Sequence, residues 1–326
     1  MRSFGKWIGR LLLALGMIGV GLWAFAPIEP VDREIAFEED NLGGDLDVGL
    51  QQRESAFPDM IPGVAKRIFW AGAVGAKTPL AVIYVHGFSA TSEEIRPVPD
   101  EVARALGANL FFMRLAGHGR GSQAMAEPVA GDWIEDMAEA MAIGRRIGDR
   151  VLVIANSTGA ALAAVAATDP VLSQDMAGVV LISPNFRLNN PAAAILDLPL
   201  ARWWGPVIAG ADRSFAPLNA GQAAYWTTTY PTVALFPMAA LARVARGLDY
   251  RAVRVPALFI YSAEDRVIDP VAIAPVIAAW GGPVTQELRR MQAGDDPYSH
   301  VIAGEIMSPG QTEPVIAAIL AWAKGL

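Results

Sequence analysis

The chain of 326 residues contains no cysteine. Disulfides, thiol nucleophiles and thiolate metal sites are thereby excluded, in a pattern that suits an exported protein as well as a cytosolic one. Histidine is almost as scarce: His86, His118 and His300 are the only three, so any chemistry that needs an imidazole has a short list of candidates. No histidine cluster with ligand spacing and no glycine-rich phosphate loop occurs, so nothing in the sequence calls for a metal or a cofactor. Basic residues are outnumbered, 26 Lys and Arg against 33 Asp and Glu, for a net charge of −7. An acidic chain repels phosphate backbones, and nucleic acid is not an expected partner. There is no internal repeat.

Apolar residues are plentiful, at 53%, and part of the excess lies at the N-terminus. Arg2, Lys6 and Arg10 precede an uncharged run from Leu11 to Ala26. A basic start, an apolar stretch and the terminal Ala24-Phe25-Ala26 have the form of a secretory signal. Pro27 follows at once, and proline just after the cut disfavours cleavage. Residues 1–26 are therefore expected to be an uncleaved signal anchor rather than a cleaved signal peptide. Arg10 would snorkel and Trp23 would sit at the far interface. The positive-inside rule leaves the basic end in the cytoplasm, so the remainder is expected outside it, anchored to the inner membrane or exported.

Residues 27–60 are acidic and carry glycine, and read as a linker or loosely docked lead-in. Beyond them strands alternate with helices. Strands are expected at Val64–Trp70, Leu80–Val85, Asn109–Leu115, Val151–Ile154 and Gly178–Ile182. Helices are expected at Asp100–Leu106, Asp132–Ile147 and Ser157–Ala167. Short continuous apolar runs such as LAVIYV mark strands buried on both faces, so the fold class is α/β, with a mostly parallel, doubly wound sheet. Residues 61–185 form the first part of this core. The alternation lapses over 186–254, which holds Trp203, Trp204, Tyr225, Trp226 and Tyr230. That stretch is expected to be a mainly helical cap insertion over the carboxyl edge of the sheet, its aromatics lining a pocket. Alternation resumes in 255–326, with strands at Ala257–Tyr261 and Val284–Leu288 and helices at Val271–Trp280 and Glu313–Ala323.

The stretch VLVIANSTGAA, residues 151–161, ends a buried strand in a small polar turn and starts a helix. Ala155-Asn156-Ser157-Thr158-Gly159 fits the G-x-S-x-G nucleophile elbow with alanine first. The residues two before and two after the serine must be small because the turn is sharp. The turn lifts the hydroxyl clear of the sheet and places it at a helix N-terminus, where the dipole favours developing negative charge. A serine needs a base. His300, in the polar loop DDPYSH after the last strand, is the candidate. His86 and His118 sit beside glycines at the ends of earlier strands and are expected to brace loops. The base in turn needs an orienting carboxylate. Asp265 comes soonest after the strand at 257–261, and Glu264 and Asp269 remain alternatives. An oxyanion hole would use the backbone N–H groups of Thr158 and Phe88. Phe88, Trp203, Trp204 and Trp226 are the candidate substrate-binding side chains.

VIYVHGFSATSEEIRPV, FFMRLAGHGRG, the Trp133–Asp136 segment, VIANSTGAA, YSAEDRVIDP and YSHVIAG together resemble the α/β-hydrolase superfamily. Within it the likeness is to small carboxylesterases and monoacylglycerol-lipase-like enzymes, and it extends from about Val64 to the C-terminus. The resemblance implies an α/β-hydrolase fold and a serine hydrolase acting on small-molecule esters, including lipid-like or acyl-glycerol esters. It carries nucleophile, acid and base onto Ser157, Asp265 and His300, and oxyanion donors onto Phe88 and Thr158. Ala155 and Asn156 depart from its usual elbow. The same triad would also serve amide, thioester or carbon–carbon cleavage, and a hydrolase-like fold without catalysis would serve as a binding protein.

Overall fold

A computed structural model describes residues 2–326. Helix α1 (Arg2–Phe25) is followed by α2 (Leu46–Glu54), β1 (Arg67–Phe69), β2 (Thr78–Val85), α3 (Val98–Leu106), β3 (Asn109–Phe112), α4 (Ala130–Ile147), β4 (Gly148–Asn156), α5 (Ser157–Thr168) and β5 (Met176–Ile182). Then come α6 (Ala201–Ala209), β6 (Asp212–Ser214), α7 (Ala220–Tyr225), β7 (Thr229–Pro231), α8 (Leu235–Gly247), β8 (Ala257–Tyr261), α9 (Ile273–Ala279), β9 (Val284–Leu288) and α10 (Pro309–Ala323).

Seven strands form one sheet in the order β1-β3-β2-β4-β5-β8-β9. Only β1 runs antiparallel to its neighbour. The central strands are apolar on both faces because both faces are covered. Ile83, Val85, Val151, Val153 and Ala155 point into a core closed by α4, α5, α8 and α9, while Val82, Tyr84, Leu152 and Ile154 point into one closed by α3 and α10. Strand register sets the site: Val85 lies opposite Ala155, so β2 and β4 end side by side. Gly107 ends α3 in the left-handed conformation, φ 61°, as its position predicts.

Two expectations need correction. Residues 27–60 are neither a linker nor loosely docked. Leu42, Leu46 and Leu50 are buried in the main core, Asp45 caps α2 through the Val48 amide, and Glu54 meets Arg114 in a buried ion pair. The leucines recur every four residues, which puts them on one side of a turn and helix, and the surrounding acids occupy the outer side. The insertion carries α6 and α7, with most of its residues outside strands, and β6 and β7 pair in it as a small antiparallel sheet. Not all of 186–254 lies above the sheet: Met238, Leu241 and Ala245 of α8 belong to the main core. Alanine-rich α8 packs closely there because its side chains are short.

The Lys6–Phe25 stretch of α1 spans 20 residues with a mean hydropathy of 1.9, long and apolar enough to cross a bilayer.

Candidate active site

Strand β4 ends at Asn156, and Ser157 opens α5 with φ 53°, a left-handed conformation that few L-residues adopt. Gly159 shows why the turn takes small residues. A Cβ there would lie 2.5 Å from the carbonyl oxygens of both Val85 and His86. Helix α5 thus passes against the end of β2, and Ser157 comes beside the loop that follows it.

Three residues from separate loops meet there. His300 Nε2 lies 2.9 Å from Ser157 Oγ, and His300 Nδ1 lies 2.8 Å from Asp265 Oδ2. An ionised Asp265 accepts only, so Nδ1 carries the proton and Nε2 accepts the serine hydroxyl. Asp265 is itself held: its Oδ1 accepts from the amides of Val267 and Ile268 at 2.8 and 2.9 Å. The alternatives lie elsewhere. Glu264 pairs with Arg290 at the surface, and Asp269 caps the turn before α9 through Val271 N–H and pairs with Arg187.

The His300 loop is fixed by residues whose roles sequence reasoning missed. Asp296 Oδ2 accepts from the amides of His300 and Val301, and Ser183 Oγ donates to the His300 carbonyl at 2.7 Å. Asp296 stood in the quoted loop, but an aspartate that binds amides within four or five residues has no distinctive spacing. Ser157, Asp265 and His300 are all buried. Burial works against the imidazolium. The carboxylates of Asp265, Asp296 and Glu94 outweigh it and hold the His300 pKa above the ordinary value of 6.5.

The other two histidines brace loops. His86 Nε2 accepts from Leu115 N–H at 3.1 Å, so its Nδ1–H donates to the Gly87 carbonyl at 2.9 Å. His118 Nδ1 meets the Ala116 carbonyl at 3.0 Å. Burial keeps both neutral: His86 is pushed well below 6.5 and His118 down to about 4.

The Gly87 carbonyl and the Phe88 N–H belong to one planar peptide and point in opposite directions. Holding the carbonyl on His86 therefore aims the N–H away from it, and that N–H makes no hydrogen bond among the described residues. Thr158 is the second residue of α5, in the turn whose N–H groups have no intrahelical acceptor. Glu94 completes the loop. Its Oε2 accepts from Gly87 N–H at 2.7 Å and from Tyr84 Oη at 2.9 Å. No cation pairs with it among the described residues, and burial raises its pKa. Asn156 lies beside this carboxyl, yet both of its side-chain polar atoms lack a partner of good geometry among the described residues.

The candidate substrate-binding aromatics separate. Phe88 sits edge-on to Tyr230 at 5.3 Å, to His118 at 5.6 Å and to Trp133 at 6.5 Å. The insertion also reaches this loop through Thr227 N–H, which donates to the Ser89 carbonyl at 2.7 Å. Trp226, next to it, is buried in the core beneath α10. Trp203 and Trp204 are not brought to Ser157. Trp203 is 78% exposed on the outer side of α6, and Trp204 donates to the Pro199 carbonyl and faces Trp23. Adjacent helix positions point about 100° apart, so two neighbouring tryptophans do not share one pocket wall.

Residues 82–304 match the Alpha/beta hydrolase family. The chain is 28% identical over 195 residues to the thermostable monoacylglycerol lipase of Bacillus sp. (strain H-257), covering 59% of this chain and 73% of that one. A structure from work on the metagenome-derived lipolytic enzymes LipS and LipT superposes with a TM-score of 0.67 at 23% identity, over 82% of this chain and 100% of that one. The Paleococcus ferrophilus monoacylglycerol lipase superposes with a TM-score of 0.56 at 16% identity, over 79% and 96%.

Proposed function

The chain belongs to the alpha/beta hydrolase family as an enzyme of lipase and esterase type, and we propose that it hydrolyses carboxylic esters of lipid-like or acyl-glycerol type with Ser157, His300 and Asp265 as its triad. The observation that carries this reading is the unbroken contact from Ser157 Oγ through His300 to Asp265, at 2.9 and 2.8 Å.

Ser157 Oγ attacks the ester carbonyl while His300 Nε2 takes its proton. Asp265 keeps Nδ1 protonated and stabilises the imidazolium that forms. The Phe88 and Thr158 amides receive the oxyanion, each contributing roughly 3 kcal/mol in the transition state. The imidazolium protonates the departing alcohol, leaving an acyl-enzyme. Water that gives its proton to His300 then releases the acid and restores Ser157. Glu94 and His86 act from behind this chemistry: they fix the two peptides on either side of Gly87 and hence the direction of the Phe88 N–H.

In this reading α1 anchors the enzyme in a bilayer, with its basic start on the cytoplasmic side and the hydrolase outside. The apolar span and the monoacylglycerol lipase relative both support esters with acyl chains as substrates.

A fluorophosphonate probe tests the nucleophile. Labelling is expected at Ser157 and lost in Ser157→Ala. Failure of the folded wild-type protein to take up the probe overturns the proposal.

A further inference from the structure

Helix α6 carries apolar side chains on its solvent side. Trp203 is 78% exposed, Val207 85% and Ile208 73%. Trp203 and Val207, four positions apart, lie on one side of the helix, opposite Ala201 and Gly205, which are buried against the rest of the insertion, and Ile208 is exposed beside them in the last turn. Gly205 lets α6 approach so closely that a Cβ there would lie 2.9 Å from the Phe236 ring. The outward direction of Trp203 and Val207 is thus set by packing on the inner side.

This face adjoins the end of α1. The Trp23 and Trp204 rings are 6.2 Å apart. Immediately after α1, Leu200 N–H donates to the Pro27 carbonyl at 3.0 Å. Glu29, with its side chain buried, pairs with Arg202 at 2.6 Å, and Arg243 donates to the Glu29 carbonyl at 2.5 Å. The chain is therefore clamped to α6 and α8 within four residues of the helix end. A span that ends at Phe25 places the bilayer boundary there, and the clamp leaves no slack by which α6 could stand away from it.

We propose that the outer face of α6 is seated in the headgroup boundary of the bilayer that holds α1, so that the insertion covering Ser157 rests on a lipid surface. This deepens the reading of the chain as an anchored esterase and rests on it: a site held against lipid draws its ester from the bilayer rather than from water. The path from surface to site is short. Helix α6 leads through Gly210 into β6, β6 pairs with β7, and Tyr230 of β7 packs on Phe88 in the oxyanion loop. An amphipathic helix of this kind lies in the interface plane with its apolar side a few ångströms deep.

The absence of native cysteine makes the test direct. The full chain is reconstituted into vesicles of phosphatidylcholine and phosphatidylglycerol. A fluorophore is attached to Val207→Cys, to Leu15→Cys within α1, or to Asp149→Cys at the opposite end of the sheet. Quenching is then compared for lipids carrying a nitroxide near the headgroup or deep in the acyl chain. The Val207 label is expected to respond to the shallow nitroxide, the Leu15 label to the deep one, and the Asp149 label to aqueous iodide alone. A Val207 label that behaves like the Asp149 label overturns the proposal, whether or not α1 is in the bilayer. A Leu15 label outside the bilayer, with Val207 still quenched at shallow depth, removes the anchor and leaves the docked face standing.

Activity supplies a second measurement. V207D/I208D is expected to lower the rate on a vesicle-embedded long-chain ester about tenfold, because charge replaces apolar contact at the boundary. Its rate on a water-soluble short-chain ester should be unchanged. Equal rates on the vesicle ester for wild type and variant overturn the docking. Absence of any ester turnover by wild type overturns the esterase reading alone, since label depth does not depend on it.

Discussion

Ser157 Oγ and His300 Nε2 stand 2.9 Å apart although 143 residues separate them in the chain. Neither loop is free to bring this about alone. Ser157 is set by the end of β4 and the start of α5, and His300 by Asp296 and Ser183. Two rigid supports meet because β4, β5 and β8 are neighbours in one parallel sheet.

Asp265→Asn tests the third member. Asparagine keeps an oxygen for the Val267 and Ile268 amides, so the loop should hold, but its amide opposes the Nδ1 proton. The wrong tautomer then faces Ser157, and kcat is expected to fall about ten-thousand-fold. Steady-state kinetics on a soluble ester, with circular dichroism matched to wild type, decide it. A loss of only about tenfold would show that His300 does not rely on Asp265 for its tautomer.

The acid side of the pH profile follows from the electrostatics of His300. Its carboxylate neighbours favour the protonated form and raise the pKa above 6.5, while catalysis requires the neutral form. The rise of kcat/KM with pH should therefore reach its midpoint above 6.5, the value at which an ordinary histidine would place it. A midpoint at or below that value contradicts the assignment of His300 as base.

Glu94 separates orientation from mere packing. Glu94→Gln retains an acceptor for the Gly87 N–H and should keep most of kcat. Glu94→Ala frees the peptide before Phe88 N–H, the proposed oxyanion donor, and kcat should drop about ten- to a hundred-fold with KM little changed, since a small displacement harms the transition state most. Equal kinetics for the two variants would mean that the hydrogen bond to Gly87 does not orient the loop.

Gly159→Ala examines the elbow. Its new Cβ would meet backbone oxygens of Val85 and His86 at 2.5 Å, and backbone cannot step aside as a side chain can. A stability loss of about 1–3 kcal/mol is expected from such overpacking, with a matching loss of turnover as Ser157 shifts. Urea denaturation and esterase assays read the two effects. Wild-type values in both would show that β2 and α5 are less tightly apposed.

Arg114→Met tests whether the acidic lead-in is part of the fold. Burial opposes ionisation of Glu54, but the Arg114 guanidinium, with both contacts at 2.7 Å, and Lys66 hold its pKa below the ordinary 4.5. Removing one partner of a buried pair costs about 3–5 kcal/mol, visible as a lower urea midpoint at neutral pH. The sign is that of a depressed carboxylate: the stabilisation is complete above the unfolded pKa and is lost as pH falls through the folded one. The gap between variant and wild type should therefore narrow in acid. A gap that persists unchanged would place the effect in packing rather than charge.

Much of this molecule is legible along the chain because its signals are local. The apolar runs at 80–85 and 151–154 report strands covered on both sides, and the small residues around Ser157 report a sharp turn, since each is a requirement of backbone and immediate neighbours. Three histidines in the whole chain narrowed the candidates for a base to His300 before any distance was known. What the sequence could not express are contacts whose partners are far apart. Asp265, Glu264 and Asp269 are chemically alike, and only the fold decides which carboxylate faces Nδ1. Glu94 looks like one acid among several until its oxygen is found on Gly87 N–H. Trp203 and Trp204 look like one aromatic pair until the turn of α6 sends one to solvent and the other towards Trp23. Hydrophobic pattern and turn chemistry act between residues a few positions apart, and so are written in order along the chain. The direction of a side chain and the charge it meets depend on which elements pack together, and that is set only when the sheet closes.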